Sequence, residues 1–268
     1  MPRGLDHIVH AVRDLDAAAQ FYRQLGFQVG ARNRHPRAWG THNHIIQLPG
    51  TYLELLAVAD TSGIVPHAPR HFSFGAFNRD FLQRGQGLSM LVLEGRGAPD
   101  ADEFRKKGIG DFELYEFERE GKRPDGAPIK VAFALAFASD PRAPDSGFFT
   151  SLHRYPQNFW NPAFQKHPNG AESVAGVIAV ADDPARHRDF LLALTGAPSA
   201  RDTGDGFTIA LPRGAIDMTT PAAFERRFGL PAPDASRGAR LAALRFSGRG
   251  LAAKRQSAMG AVLLFEPG

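Results

Sequence analysis

A unit of one strand, one capped helix and three further strands recurs along the chain, and this repetition limits the possible folds more than composition does. The first copy opens on Leu5-Asp6-His7-Ile8-Val9-His10-Ala11. Strand alternation puts Leu5, His7, Val9 and Ala11 on one face and His10 on the other. Asp14 is the expected N-cap of the next helix, and Asp16 suits its positive end. Ala18, Phe21, Tyr22 and Leu25 have the spacing of a buried stripe, which Gly26 ends. Strands are predicted at 27–31, 41–48 and, after the Pro49-Gly50 turn, 51–58.

A helix at 74–84 leads into the second copy, with a strand at 88–93, a short helix at 101–107 and strands at 112–118, 129–138 and 148–153. Pro124-Asp125-Gly126 is its turn signal. The third copy has a strand at 174–180 and Asp183-Pro184 as cap and first helical residue. His187, Phe190, Leu191 and Leu194 line that helix, and a hairpin follows at 207–211 and 215–219. Thr220-Pro221 starts a helix ending near Gly229. Strands at 240–247 and 261–265 would begin a fourth copy whose helix and hairpin are missing.

A βαβββ unit with one apolar sheet face cannot bury that face alone, so units must pair. Two of them make a curved sheet enclosing a cup, with ligands supplied by the cup-facing side of a first and a last strand. The fold class is therefore α+β: tandem βαβββ modules paired into cup-shaped mixed sheets, with a degenerate C-terminal half. Residues 1–156 form the N-terminal pair of modules, 157–171 a linker or lid, and 172–268 the C-terminal half.

The 268 residues, 43% hydrophobic and 22% charged, suit a globular core. No run approaches the ~20 apolar residues of a membrane span. The start Met1-Pro2-Arg3-Gly4-Leu5-Asp6 has no apolar export segment, so a cytoplasmic protein is expected. With no cysteine, any metal must be held by His, Asp, Glu or water. The net charge of +4 comes from basic residues scattered beside acids, as in Glu118-Arg119-Glu120, so it describes a solvated surface and not a nucleic-acid site. No phosphate-binding glycine motif or nucleophile elbow is present. The expected partner is a small-molecule substrate, and a homodimer is left open.

Seven of the ten histidines, His7, His10, His35, His42, His44, His67 and His71, fall before residue 72. His7 and Glu54 are each polar within an apolar strand. His42 and His44 share one strand face and Asn43 takes the other. One reading makes a histidine here a ligand or general base; the other makes both surface residues and Asn43 an amide lining the cup. His35, before Pro36, reads as a loop residue. Tyr155, Phe159 and Trp160 are either an aromatic lid or linker aromatics packed on the sheets.

Gly4-Leu5-Asp6-His7-Ile8-Val9, Val12-Arg13-Asp14-Leu15-Asp16, Phe21-Tyr22 and Leu25-Gly26-Phe27 resemble the opening of the vicinal oxygen chelate superfamily of glyoxalases, bleomycin-resistance proteins and extradiol dioxygenases. Arg34-His35-Pro36, Trp39-Gly40-Thr41-His42-Asn43 and Tyr52-Leu53-Glu54-Leu55-Leu56 sharpen the likeness to its glyoxalase-like branch. It covers about residues 4 to 60. Beyond them it rests on the repeated topology and on Phe159-Trp160-Asn161-Pro162.

The resemblance implies a divalent metal (Zn, Fe, Mn or Ni) held by a residue on each module's first strand and a Glu on its last. Carried over, these positions are His7 and Glu54. In the second module Ser89 falls at the ligand position, and Thr150 or Ser151 opposite Glu54. His153, two residues beyond Ser151, could complete a site of two histidines and one carboxylate. In the third copy Ala175 matches His7, and Leu264 in the last strand matches Glu54. The implied chemistry is isomerase, lyase or dioxygenase conversion of a small vicinal-oxygen metabolite. His42, Asn43 and His44 are candidate catalytic residues, and Ser89, Ser151, Phe159 and Trp160 candidate pocket residues. Glyoxalase I activity is disfavoured, because its second ligand pair is not evident. The rival is a binding protein that sequesters a small molecule in the same cup.

Overall fold

The computed structural model describes residues 1–122 and 128–268. The first unit runs β1 (Leu5–Ala11), α1 (Leu15–Gln24), β2 (Asn33–Arg34), β3 (Thr41–Leu48) and β4 (Thr51–Val58). Then come α2 (Phe74–Arg84), β5 (Gly87–Glu94), α3 (Ala98–Lys106), β6 (Tyr115–Lys122), β7 (Pro128–Ala138), β8 (Gly147–His153) and α4 (Pro156–Phe159). The C-terminal half holds β9 (Ser173–Val180), α5 (Arg188–Thr195), β10 (Arg201–Asp202), β11 (Gly206–Ala210), β12 (Ala215–Thr219), α6 (Pro221–Phe228), β13 (Arg240–Gly248), β14 (Lys254–Ala258) and β15 (Ala261–Pro267). The turn signal Pro124-Asp125-Gly126 lies outside the described residues.

Among the described residues the first sheet has eight strands in the order β2-β3-β4-β1-β5-β8-β7-β6. The two modules meet where β1 and β5 run antiparallel, and each first strand pairs in parallel with its module's last, β1 with β4 and β5 with β8. The second sheet, β10-β11-β12-β9-β13-β15-β14, repeats this order with one edge strand fewer. This is the expected architecture of paired modules in cup-shaped mixed sheets.

Local chemistry sets the ends of α1 and α6. The Asp14 carboxylate accepts the Asp16 and Ala17 amides at 3.0 Å and so caps α1, whose Leu15, Ala18, Ala19 and Tyr22 are buried. Thr220 caps α6, and Gly229 ends it in the left-handed conformation. A single core joins the two sheets on their faces away from the cups, where Leu5, Ile8 and Phe148 of the first pack with Val177, Leu244 and Phe246 of the second.

Four expectations are corrected. Residues 27–31 form no strand: the Gly30 amide donates to the Ile45 carbonyl and the Gly30 carbonyl accepts from His44, a local clasp without a ladder. Leu5 does not share a face with His7, because a bulge between them in the β1–β5 pairing turns Leu5 into the inter-sheet core. The fourth unit lacks a helix but keeps its hairpin, since β14 pairs with β15; Lys254-Arg255-Gln256-Ser257 is a polar edge strand with no apolar alternation to reveal it. The strand predicted at 112–118 runs three to four residues later, as β6, which matters for the cup.

Candidate active site

Parallel pairing of β1 with β4 sets His7 opposite Tyr52 and Val9 opposite Glu54, so His7, Tyr52 and Glu54 come up side by side on the concave face. The His7 ring stacks on Tyr52, with centroids 4.2 Å apart. His7 Nε2 stands 3.7 Å from Glu54 Oε2. Around them is a cavity of about 50 Å³, room for a few water molecules. Trp39, Phe74, Phe117, Phe133 and Phe149 form its aromatic wall, and His35, Asn43, Arg119 and Ser151 supply the other polar groups.

The polar groups form two chains. In the first, the Asp6 carboxylate accepts from His7 Nδ1 at 2.5 Å and from His153 Nε2 at 3.1 Å. Burial would raise the Asp6 carboxyl, but the charges and hydrogen bonds of His153 and His7 outweigh it and hold the group at about 2. An ionised carboxylate only accepts, so His7 Nδ1 carries a proton, and Nε2 is the ring nitrogen that faces Glu54. In the second chain Arg119 Nη1 donates to Asn33 Oδ1 at 2.8 Å, and Asn33 Nδ2 to Asn43 Oδ1 at 3.1 Å. Asn43 Nδ2 then donates to Glu54 Oε1 at 2.5 Å and to His35 Nε2 at 3.1 Å.

These chains leave Glu54 a distinctive carboxyl. Burial pushes it upward, against the pull of His7, the Asn43 hydrogen bond and Arg119, and its pKa ends above the ordinary value. His35 is pushed down to about 3 by burial, with Arg119, His42 and His7 adding to it. His35 is thus neutral, its Nδ1–H donating to Thr41 Oγ1 at 2.8 Å and its Nε2 accepting from Asn43.

Of the sequence candidates, His7, Glu54, Asn43, Ser151 and Phe159 line the cavity. The others are placed elsewhere. His42 and His44 alternate with Asn43 and leave the cup: His44 Nδ1 donates to the Gly30 carbonyl, and both rings lie near Asp16 of α1. Ser89 gives its hydroxyl to Asn78 Oδ1 of α2, and the β5 residue opposite His7 is Val92. His153 is directed to Asp6, behind His7, with Trp160 stacked on it at 5.5 Å. Both border a second cleft with Asp6 and Ser151.

His7, Glu54 and His153 therefore do not converge on one point. Among the described residues no group of three or more His, Asp or Glu side chains is arranged to hold a metal ion. The predicted trio does not fit an ion, because the donor atom of His153 that faces the first module is already committed to Asp6.

The segment after β8 is fixed to the first module. Gln47 Nε2 donates to the Phe159 carbonyl at 2.8 Å, and Gln47 Oε1 accepts the Asn161 amide at 3.1 Å. His167 bridges the Gln47 carbonyl and the Gln28 amide. Asn169 docks on the end of α1 so closely that a Cβ on Gly26, at φ +81°, would lie 2.9 Å from its Cβ. Phe159 alone of the three predicted lid aromatics reaches the cup, while Tyr155 is exposed.

Sequence reasoning missed Asp6, His35 and Arg119. In sequence Arg119 lies between Glu118 and Glu120, the mixed-charge pattern of a solvated surface, and one residue beyond the predicted strand. With β6 running to Lys122, Tyr115, Phe117 and Arg119 alternate onto the cup face. That aromatic-aromatic-Arg alternation was the signal available.

The second sheet repeats the geometry without the chemistry. Ile178 pairs with Asp217 as Val9 does with Glu54, and counting back two residues puts Gly176, not Ala175, at the His7 position. Arg245 occupies the space, 3.6 Å from Asp217, and a Cβ on Gly176 would meet its guanidinium at 3.0 Å.

Paired βαβββ modules curled round a cup with a polar floor define the class of protein. The family model described as glyoxalase-like domain matches residues 5–195, and the chain belongs to that family. No curated protein matches the sequence. Among solved structures, a hypothetical protein from Staphylococcus aureus aligns over 99% of both chains at 13% identity, with a TM-score of 0.73. A variant of 4-hydroxymandelate synthase from Streptomyces coelicolor aligns over 92% of this chain and 71% of its own at 12% identity, with a TM-score of 0.52. A variant of methylmalonyl-CoA epimerase from the same organism aligns over 57% of this chain and 98% of its own at 19% identity, with a TM-score of 0.39. The first two likenesses are of fold.

Proposed function

We propose that the cup is an active site for proton transfer on a small oxygenated metabolite, with Glu54 as the acid–base group. The supporting observation is the pairing of a buried carboxyl of raised pKa with an imidazole whose orientation is fixed by an ionised Asp6. In the first step a carbon–hydrogen bond beside a carbonyl breaks, its proton goes to a Glu54 oxygen, and the electron pair moves to the carbonyl oxygen as an enolate. Asp6 holds the His7 proton at Nδ1 and stabilises the ring if Nε2 takes up a second, as a carboxylate does behind a catalytic histidine. The aromatic wall excludes water. Return of the proton from Glu54 to a neighbouring carbon of the enolate would complete an isomerisation, and expulsion of a leaving group from the adjacent carbon as the enolate collapses would complete an elimination.

The test is deuterium wash-in from D2O at C3 of 2-oxobutyrate, followed by proton NMR. Wild type is expected to accelerate exchange, and Glu54→Gln to lose the acceleration by about a hundredfold or more. Tight binding of such compounds without exchange would contradict the proposal and leave the sequestering protein as the reading.

A second reading keeps the metal. His7 Nε2, its other nitrogen tied to Asp6, and the Glu54 carboxylate form the kind of oriented donor pair that metal sites use. Zn, Fe, Mn or Ni bound there would supply a Lewis acid, and dioxygenase chemistry would come within reach. Metal analysis of protein purified without chelator tests it.

A further inference from the structure

Arg119 stands at a boundary. With Ile45 and Phe159 it borders both the inner cavity that holds Glu54 and an outer cleft of about 420 Å³. The cleft is lined largely by apolar groups, among them Ala31, Ile129, Val131 and Phe164. Its volume suits the body of a small organic ligand, whereas the inner cavity admits only a short head.

The guanidinium at this boundary is positioned but not neutralised. Its hydrogen bond goes to the neutral amide of Asn33. Among the described residues no carboxylate comes within 4.0 Å of it, although other sequestered arginines have one: Arg3 with Asp100 at 2.7 Å, Arg240 with Asp145 at 3.7 Å, Arg245 with Asp217 at 3.6 Å. Burial disfavours its charge, and Glu54 and Tyr52 pull in the opposite sense. An unpaired cation in an apolar cleft is costly unless an anion joins it. A planar fork of donors matches a carboxylate in two-point contact.

We infer that the cup takes a monoanionic carboxylic acid with an apolar body: the carboxylate pairs with Arg119, the body lies in the outer cleft, and a short oxygenated arm enters the inner cavity. This names the substrate class of the proposed active site, and it rests on that proposal for the direction in which the molecule lies. One guanidinium neutralises one negative charge, and the apolar cleft beside it favours an organic acid over inorganic phosphate.

The experiment is calorimetric titration of the full chain with 3-phenylpropionate, its uncharged amide 3-phenylpropionamide, and inorganic phosphate. The acid is expected to bind, to weaken by about tenfold or more in Arg119→Gln, and to keep part of its affinity in Arg119→Lys. The amide should bind more weakly than the acid and respond little to either variant. Far-UV circular dichroism checks that the variants fold, and Glu54→Gln should bind the acid at least as well as wild type does. Equal binding of acid and amide, acid binding unchanged in Arg119→Gln, Arg119-dependent binding of phosphate alone, or no binding of the acid would each overturn the inference. Charge-selective binding that survives in Glu54→Gln while wild type shows no deuterium exchange would instead defeat the proton-transfer proposal and leave the substrate class standing.

Discussion

The Asp6 carboxylate and the His7 ring, neighbours in sequence, meet at 2.5 Å through Nδ1, on a strand whose bulge breaks simple alternation. Adjacent strand residues normally face apart. This contact fixes the histidine that faces Glu54, and His153 is bound to the same carboxylate.

Asp6 links the site to stability. Its pKa of about 2 lies below the ordinary 3.8, so its contribution is present above pH 3.8 and lost as pH falls toward 2. The size is about 2 kcal/mol. Asp6→Asn should lose roughly that amount at pH 6, and the gap to wild type should narrow between pH 4 and pH 2. Urea midpoints at the three pH values measure it. A gap independent of pH would show that the carboxylate charge is not what the histidines use.

Asn43 joins the second polar chain to Glu54. Asn43→Ala leaves Glu54 Oε1, His35 Nε2 and Asn33 Nδ2 each short of a partner. A loss of about 1–3 kcal/mol is expected in urea unfolding. A change within error would mean that water replaces the amide without cost.

Glu54 behaves in the opposite sense to Asp6. Its folded pKa is raised, so the folded state holds its proton more firmly than the unfolded state, and stability falls as pH rises from 4.5 through the folded value. Glu54→Gln should therefore melt higher than wild type at pH 7, with the difference closing at pH 4. Such a trade of stability for a poised carboxyl is common at active sites. Calorimetry at the two pH values checks it.

Metal content tests the ligand set. Any first-row metal carried by the purified protein should be lost in His7→Ala and Glu54→Gln and kept in His153→Ala, because His153 is bound to Asp6. Equal loss in all three variants would restore the trio inferred from sequence.

The element order was legible because it follows from periodicity, in a unit that must pair to bury its apolar face; His7 and Glu54 stood out as polar residues in apolar strands, and the resemblance made them partners. What was hidden depends on departures from period. The bulge before His7 brings Asp6 to it and sends Leu5 away. The real ends of β6 carry Arg119 into the cup. Strand parity set Asn43 apart from His42 and His44 but could not say which face was concave; Asn43 lines the cavity, and His44 is buried against the Gly30 carbonyl and not on the surface. His35 looks like a loop residue because Pro36 follows it, and only the pairing of β2 beside β3, continued by the His35 amide on the Thr41 carbonyl, brings its ring toward Glu54, 3.6 Å away.

The most direct measurement is the titration of the Glu54 carboxyl itself, read as the infrared C=O stretch of the protonated acid in the difference between wild type and Glu54→Gln. The buried, hydrogen-bonded site described here requires a band that persists above pH 4.5 and moves to still higher pH when His7→Ala removes the imidazole that favours ionisation. A band already gone at pH 4.5, or one unmoved by His7→Ala, would contradict the account.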